Sequence, residues 1–302
     1  MDAPTVDFAP LFAELKATFE SGRTTSLAWR AEQLAALERM MVECEQEFMD
    51  ALNSDLGRHP QETWATEISY VMADAEYSRK NLKRWARKRK VPTPMVGRPG
   101  RSWLQPEPLG VVLIIGAWNY PMQLVLAGLA AAISAGNCAV LKPSELAPAT
   151  SDAVARLVPR YLDNDCVKVV EGGVPETSAL LELAWDHILY TGSGNVGRIV
   201  MAAAAKHLTP VTLELGGKSP CVVMPDADLE ITARRIAWGK FTNAGQTCIA
   251  PDYLLVDAET EKKLVPLLQQ AVSEMFGENP EASESYGRIV NDRHFARLAG
   301  FI

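Results

Sequence analysis

A cysteine in a polar loop is the residue of this chain best suited to covalent chemistry. Cys248 ends the run Phe-Thr-Asn-Ala-Gly-Gln-Thr-Cys, which follows a predicted helix at 231–240 and precedes a strand candidate at 253–256. A substrate can reach a loop cysteine, and backbone N–H groups can assist it as a thiolate nucleophile requires. The alternative, a small buried residue, fits Cys138 and Cys221 better, since both lie in apolar strand-like runs.

A carboxylate near the end of a second apolar segment could work with that thiol. Residues 211–218 read Val-Thr-Leu-Glu-Leu-Gly-Gly-Lys, so Glu214 stands just before a glycine hinge. A thiol and a carboxylate at the ends of separate elements, behind a series of strand–helix units, suggest covalent redox chemistry.

Strand candidates alternate with helices between residues 111 and 215. The run 111–116 is continuously apolar, which is typical of a strand buried on both faces. Strands joined by crossover helices predict a parallel, doubly wound α/β sheet, which binds ligands at the carboxyl ends of its strands. The strands are predicted at 111–116, 138–141, 167–170, 187–190 and 211–215, and the helices at 122–135, 149–161, 178–183 and 196–205. Six candidate residues lie at or just past strand ends: Trp118, Asn119, Lys142, Glu145, Ser193 and Glu214.

The flanking regions differ from this alternating part. Residues 8–90 carry apolar positions at helical spacing, with one long helix expected over 62–89. An extended segment at 101–105 and the proline-containing 106–110 predict a hairpin arm near 98–110.

After Lys218 the pattern restarts as a second α/β unit. We expect strands at 219–223 and 253–256 and helices at 227–240 and 259–276. Pro266 should kink the last helix or confine its regular part to the C-terminal side. The chain therefore divides into two predicted domains, 1–215 (N-terminal helices plus a dinucleotide-binding sheet) and 216–302 (a catalytic domain).

Composition and charge exclude several classes of protein. The 302 residues are 48% hydrophobic and 22% charged, enough for a core and long enough for two domains. The five cysteines are scattered without metal-ligand spacing, which indicates a reduced, intracellular protein and no metal site. The acidic N-terminus lacks the apolar region of a secretory signal, and no apolar run is long enough to span a bilayer. A cytoplasmic protein is expected.

A basic run near the end of the N-terminal region allows two interpretations. Eight of residues 79–90 are Arg or Lys, which on charge alone could form a nucleic-acid patch. The other interpretation is a solvated helix C-terminus whose cations complement the helix dipole. The net charge of −7 favours the second, and we expect no nucleic-acid partner.

A glycine pattern after the fourth predicted strand resembles a dinucleotide fingerprint. Gly192, Gly194 and Gly197 form G-x-G-x-x-G, and Glu214 stands where the ribose-binding acid would be expected. The usual fingerprint follows the first strand, however, and the turn at 116–121 lacks the needed glycines. A turn whose N–H groups face a phosphate is expected in either case.

The sequence resembles the aldehyde dehydrogenase superfamily, and most of all its class 3 branch of fatty and aromatic aldehyde dehydrogenases. The resemblance runs from the N-terminal helices to the last residue. Its segments are 108–121, 141–145, 172–176, 188–192, 208–220, 235–240 and the Cys248 loop.

The resemblance implies catalytic roles. Cys248 would attack the aldehyde, and the resulting thiohemiacetal would give hydride to a nicotinamide and become a thioester. Asn119 would stabilise the oxyanion together with the backbone N–H of Cys248, although a simple turn asparagine is an alternative. Glu214 would be the base that activates water rather than the ribose acid.

The resemblance also implies a site for NAD, with NADP as a second possibility. Glu145 would take the ribose role beside Lys142 and disfavour the phosphate of NADP, although from the residues alone both could lie in an exposed turn. Gly194 departs from the Thr or Asn of many relatives, which should loosen the turn but keep its N–H donors. The residues assigned to the cofactor are Trp118, Lys142, Glu145, Gly192, Ser193, Gly197 and Leu215.

Relatives in this family continue beyond residue 302, through a Glu-x-Phe-Gly-Pro motif that holds the nicotinamide ribose and a strand used in dimerisation. We therefore expect a truncated catalytic domain and a homodimeric parent protein. Two alternatives to aldehyde oxidation stay open: an inactive cofactor-binding fragment, and an acylating enzyme that passes the thioester to coenzyme A.

Overall fold

The computed structural model describes residues 6–301. The expectations about the N-terminal segment and about the end of the chain fall partly on residues 1–5 and 302, which lie outside the described residues.

Helices form the N-terminal region, as predicted. The predicted long helix over 62–89 is wrong at both ends: a five-residue π-helical segment, Trp64–Ile68, separates two α-helices, and the second ends at Trp85. Beyond it, Arg89–Val91 leaves the helix to pair with another strand. The helices are α1 (Ala9–Glu20), α2 (Leu27–Glu43), α3 (Glu45–Leu56), α4 (Pro60–Thr63) and α5 (Ser69–Trp85).

A short antiparallel pair of strands forms the arm. β1 (Arg89–Val91) pairs with β2 (Ser102–Leu104), and Lys90 faces Trp103 in the register. The arm thus starts before the predicted residue 98, because its first strand comes from the basic run. Residues 106–110 form no strand and lead into the main sheet.

Five parallel strands form the main sheet, which confirms the predicted doubly wound α/β fold. Their spatial order is β5-β4-β3-β6-β7, so the first two strands in sequence lie at its centre. All five strands start where predicted and end within two residues of the predicted position, while the helix boundaries differ most at α8, which starts four residues early. The strands are β3 (Val111–Ile115), β4 (Cys138–Lys142), β5 (Val167–Val169), β6 (His187–Gly192) and β7 (Val211–Leu215); the helices are α6 (Gln123–Ala135), α7 (Pro148–Tyr161), α8 (Val174–Leu181) and α9 (Gly194–Ala205).

The second unit contains two parallel strands and three helices. α11 continues through Pro266 as one helix, so the expected confinement to its C-terminal side is wrong. The chain tolerates the missing N–H of that proline within a 19-residue helix. The elements are β8 (Ser219–Val222), α10 (Leu229–Phe241), β9 (Pro251–Leu255), α11 (Ala258–Phe276) and α12 (Asp292–Ala299).

Within residues 6–301, buried apolar side chains form two separate clusters. The larger joins the N-terminal helices to the main sheet, in which every residue of β3 and β4 is buried. The smaller, built on Val223, Ala233, Ile236 and Leu264, lies in the second unit. The domain boundary at residue 215 stays a prediction. Within residues 6–301, no helix is long and apolar enough to cross a membrane.

Candidate active site

The carboxyl ends of the central strands meet at one edge of the main sheet. Ile115 at the end of β3 is in register with Lys142 on β4 and with Tyr190 on β6. The chain order reverses between β3 and β6, and ligands of doubly wound sheets bind at such a switch point. Trp118 and Asn119 follow β3, and Ser193 follows β6, so the predicted residues flank this point.

The Cys248 loop begins with a turn of unusual backbone geometry. After α10, Asn243 and Ala244 take φ values of +54° and +51° inside a short turn that spans Thr242–Gly245. Left-handed backbone is uncommon for residues other than glycine and marks positions that their surroundings hold in place. Asn243 is buried, whereas the Cys248 side chain is exposed, as a nucleophile requires.

The turn after β3 binds this loop directly. The side-chain amide of Asn119 donates to the carbonyl oxygen of Gln246 at 2.9 Å. The hydroxyls of Tyr120 and Thr247 lie 2.6 Å apart. An asparagine amide has two N–H donors, and the bond to Gln246 uses only one of them. The Asn119 amide is therefore bonded to the residue two positions before Cys248 and keeps a second N–H for another acceptor.

The loop is also attached to the end of the second unit. The side chain of Gln246 donates to the carbonyl oxygen of Arg288 at 2.9 Å and accepts from the backbone N–H of Val290 at 3.0 Å. These two bonds hold the side chain of Gln246, which lies two positions before Cys248.

The segment after β7 contacts the backbone of the nucleophile. A Cβ atom on Gly217 would lie 2.6 Å from the carbonyl oxygen of Cys248, so only glycine fits this approach. Glu214 lies three residues earlier, is exposed, and pairs with Thr191 in the sheet register. The strand end that carries the predicted base thus lies beside the loop that carries the thiol.

Lys142 and Glu145 form a pair at the end of β4. The ammonium of Lys142 is buried, donates to the carbonyl oxygen of Pro143 at 2.6 Å, and lies 3.8 Å from a carboxylate oxygen of Glu145. Burial lowers the pKa of the Lys142 amine, and Glu145 opposes that shift. The carboxylate of Glu145 is about half exposed and is open to a ligand.

The G-x-G-x-x-G segment joins β6 to α9. The hydroxyl of Ser193 caps α9 by accepting from the backbone N–H of Val196 at 3.3 Å. A Cβ atom on Gly197 would lie 3.0 Å from Leu215, so this glycine lets the first turn of the helix pack on the end of β7. Gly192 is the last residue of β6, in register with Leu215. The start of α9 presents N–H groups at the edge where the other candidates lie.

Trp118 packs against the second unit. Its ring centroid lies 4.7 Å from that of His294 on α12. This contact was not expected from the sequence. Within residues 6–301, no cluster of three or more His, Cys, Asp or Glu side chains is placed to hold a metal ion.

Sequence reasoning missed four buried or half-buried polar residues beneath the loop: Arg58, Glu62, Glu67 and Asn243. The first three lie in or beside helices whose charges look ordinary in the sequence. Asn243 stands within the Cys248 run but carried no assigned role. Isolated charged residues in a helical region are ordinarily exposed, so nothing in the sequence indicates that Arg58 and Glu67 are buried.

A parallel sheet with this strand order, and a cysteine-bearing loop hydrogen-bonded to the turn after its first strand, define the architecture. The chain belongs to the aldehyde dehydrogenase family, whose model matches residues 2–302. It is 49% identical over 284 residues to "Aldehyde dehydrogenase, dimeric NADP-preferring" of Rattus norvegicus, covering 94% of this chain and 63% of the rat protein. It is 48% identical to "Aldehyde dehydrogenase family 3 member A2" of Mus musculus, covering 95% of this chain and 60% of the mouse protein. The class 3 resemblance is confirmed.

Solved structures agree with this assignment. The structure titled "Substrate bound state of Staphylococcus Aureus AldH" matches with a TM-score of 0.94 and 42% identity, over 98% of this chain and 65% of that one. A Mycobacterium tuberculosis aldehyde dehydrogenase complexed with NAD+ matches with a TM-score of 0.87 and 28% identity, over 99% of this chain and 63% of that one. The chain thus spans less than two thirds of the relatives it matches.

Proposed function

We propose that the protein to which this chain belongs oxidises aldehydes to carboxylic acids with NAD or NADP as the hydride acceptor. The observation that carries the proposal is the meeting of three separate elements around one loop. The Asn119 amide is bonded to that loop two residues before Cys248, and Gly217 lies against the Cys248 carbonyl just after the strand that carries Glu214. Family membership supplies the substrate class.

In the first step, the Cys248 thiolate attacks the carbonyl carbon of the aldehyde, and a C–S bond forms. The carbonyl oxygen becomes an oxyanion, which the Asn119 amide and the backbone N–H of Cys248 stabilise. Losing one such donor typically raises the barrier by about 3 kcal/mol. A nicotinamide cofactor held by Glu145 and the start of α9 would supply the hydride acceptor, and loss of hydride from the former carbonyl carbon would convert the adduct on Cys248 to a thioester.

In the second step, Glu214 takes a proton from a water molecule that attacks the thioester carbon. The C–S bond breaks, and Cys248 leaves as a thiolate while the carboxylic acid departs. The exposed position of Glu214 allows water to reach the carboxylate. The thiol and the carboxylate therefore act on the same acyl group in turn.

The residues at the sheet edge fit a dinucleotide. The half-exposed carboxylate of Glu145 can accept from ribose hydroxyls, while Lys142 lies beside it as a buried cation. The N-terminus of α9, capped by Ser193, can receive a pyrophosphate. Glu145 should repel a 2′-phosphate, yet the rat relative is named NADP-preferring. We therefore include both cofactors in the proposal. The same relative is named dimeric, and we include a homodimer and a cytoplasmic location in the proposal.

Replacing Cys248 tests this function. We expect Cys248→Ala to abolish cofactor reduction with hexanal or benzaldehyde, because no other residue supplies the acyl acceptor. Cofactor affinity, measured by titration, should stay unchanged, since the sheet edge is intact. The matched control is Cys221→Ala, a half-buried cysteine of β8, which should keep the rate within about twofold.

Three outcomes would contradict the proposal. Undiminished aldehyde oxidation by Cys248→Ala would reject the thiol mechanism. Cofactor binding without turnover in the unaltered chain would favour the alternative of a cofactor-binding fragment. Stimulation by coenzyme A, with an acyl-coenzyme A product, would favour the acylating alternative over hydrolysis.

A further inference from the structure

A completely buried cation lies beneath the Cys248 loop. Arg58, between α3 and α4, has no exposed side-chain area. Its Nη1 bonds Glu67, and its Nη2 donates to the carbonyl oxygen of Asn119 at 2.6 Å and to Oδ1 of Asn243 at 2.8 Å. The guanidinium also lies 4.9 Å from the ring centroid of Tyr120. The proposed mechanism assigns no role to this residue.

The two acceptors of Nη2 belong to the two segments that must be aligned for oxyanion binding. Asn119 follows β3 and carries the proposed amide donor, whereas Asn243 lies in the turn Thr242–Gly245 that leads to Cys248. Nδ2 of Asn243 also donates to the Asn119 carbonyl oxygen at 2.7 Å and to that of Gln246 at 3.3 Å. Nη2 of Arg58 and Nδ2 of Asn243 therefore both donate to the carbonyl oxygen of Asn119, which links the two segments.

Two carboxylates lie beside the guanidinium: Glu67 bonds Nη1, and an oxygen of Glu62 lies 4.0 Å from Nε. Glu67 is completely buried and accepts from the backbone N–H groups of Met122 at 3.0 Å and Gln123 at 2.8 Å. Glu62 accepts from the backbone N–H of Asn243 at 2.6 Å. Burial raises the pKa of both carboxyls, and Arg58 opposes the shift in each. Through these bonds, Arg58 and its two carboxylates connect the start of α6, the turn after β3 and the Cys248 loop.

We infer that Arg58 is a positioning residue for the oxyanion site, acting through the Asn119 carbonyl and the Asn243 side chain. This inference rests on the proposed function. Arg58 does not reach the reacting atoms; it orients the main chain of Asn119 so that the amide faces the Cys248 loop. A preorganised donor stabilises the oxyanion because it needs no rearrangement when charge develops. The competing explanation is that Arg58 contributes only to folding, as many buried ion pairs do.

A double-mutant cycle separates these explanations. The probe is 4-nitrophenyl acetate, from which thiolate attack releases 4-nitrophenolate and leaves an acetyl group on Cys248, with no cofactor required. We expect Asn119→Ala to slow this burst by about 100-fold and Arg58→Met by at least about 10-fold. In the Asn119→Ala background, Arg58→Met should slow it by less than about threefold, since the two residues act as a unit. A purely structural role would give effects that multiply.

Arg58→Met leaves the buried carboxylate of Glu67 unpaired, so a loss of the burst in this variant could also come from misfolding. A second variant tests the same attachment without breaking that pair. Asn243→Gly removes all three side-chain bonds of Asn243 but keeps the Arg58–Glu67 pair, and glycine suits the φ of +54° at this position. We expect the same non-additivity with Asn119→Ala. The matched control is Arg79→Met, which breaks a bidentate bond to Glu38 between α5 and α2 and should leave the burst within about twofold.

Hydrogen–deuterium exchange measures the same attachment without any turnover. Backbone amides of residues 242–248 should exchange at least about tenfold faster in Asn243→Gly and Arg58→Met than in the unaltered chain and in Arg79→Met. Unchanged exchange in both variants, or multiplicative burst effects, would overturn the inference. A burst absent from the unaltered chain would count against the proposed function instead, and the exchange comparison would then decide whether Arg58 holds the loop.

Discussion

The main sheet and the unit that carries Cys248 are built in different ways. In the sheet, all residues of β3 and β4 are buried, and a large cluster of aliphatic side chains joins them to the N-terminal helices. In the second unit, the cluster is small, and β8 and β9 contain only half-buried and exposed residues. Large apolar side chains such as Trp238 stay exposed there.

The difference teaches how each region positions its functional groups. The sheet sets the ends of its strands through packing and register, so the cofactor candidates need few side-chain bonds to one another. The Cys248 loop depends instead on hydrogen bonds from Asn119, Asn243 and Gln246, and on the buried Arg58. Packing thus positions one half of the site, and polar contacts position the other.

Matched leucine substitutions test this contrast in stability. Leu113 on β3 is 0% exposed, whereas Leu255 on β9 is 50% exposed. We expect Leu113→Ala to lower the free energy of unfolding by about 2–5 kcal/mol, because it leaves a cavity in a packed core. Leu255→Ala should lower it by less than about 1 kcal/mol. Urea denaturation of both variants measures the difference, and equal losses would contradict the contrast.

A substitution at Glu145 should affect the cofactor side of the site alone. Glu145→Ala removes the carboxylate expected to bind ribose hydroxyls, so NAD affinity should fall by about tenfold. NADP affinity should hold or rise, because a negative charge near the 2′-phosphate is lost. Calorimetric titration of the two cofactors measures the change.

The 4-nitrophenyl acetate burst provides the internal control for that variant. It depends on Cys248 and not on the sheet edge, so Glu145→Ala should leave it unchanged. A large loss of the burst would show that the two halves of the site are not separable.

The smallest predicted effect is a pH dependence at Lys142. Burial lowers the pKa of this amine in the folded state, so the unfolded chain binds the proton more tightly. Burying the charged amine therefore lowers the free energy of unfolding by its full amount at pH values below the lowered pKa. This loss of stability disappears as pH rises from the lowered pKa to the unfolded value of 10.5. Any stability gain of Lys142→Met should be largest near neutral pH and should shrink across that window. Urea denaturation at several pH values checks the slope; a gain that grows with pH would contradict it.

The sheet was predictable from sequence because its signal is local. Continuous apolar runs such as 111–116 indicate strands buried on both faces. Glu214 lies within the predicted strand 211–215, one residue before its end, and its role stays a proposal. Cys248 was identifiable because its loop is polar and glycine-containing. The thiol, the amide and the carboxylate could thus be named in advance, although their roles stay proposals.

The supporting shell of the site was not predictable. Arg58 and Glu67 are charged residues in a helical region, where exposure is the ordinary expectation. Their burial results from contacts between segments far apart in the chain, such as the 2.8 Å bond from Arg58 to Asn243. Such long-range contacts leave no local pattern. The arm was misplaced for a different reason: the helix was expected to continue to residue 89, whereas the end of the basic run forms β1, which pairs with the nearby β2.

The order in which Cys248 and Glu214 act on one acyl group can be measured directly by mass spectrometry of the chain after a pulse of 4-nitrophenyl acetate. In Glu214→Gln, we expect one acetyl group to accumulate on Cys248 and to persist, while in the unaltered chain it is hydrolysed at least about 100 times faster. The same hydrolysis rate in both proteins, or acetylation at another residue, would contradict the account.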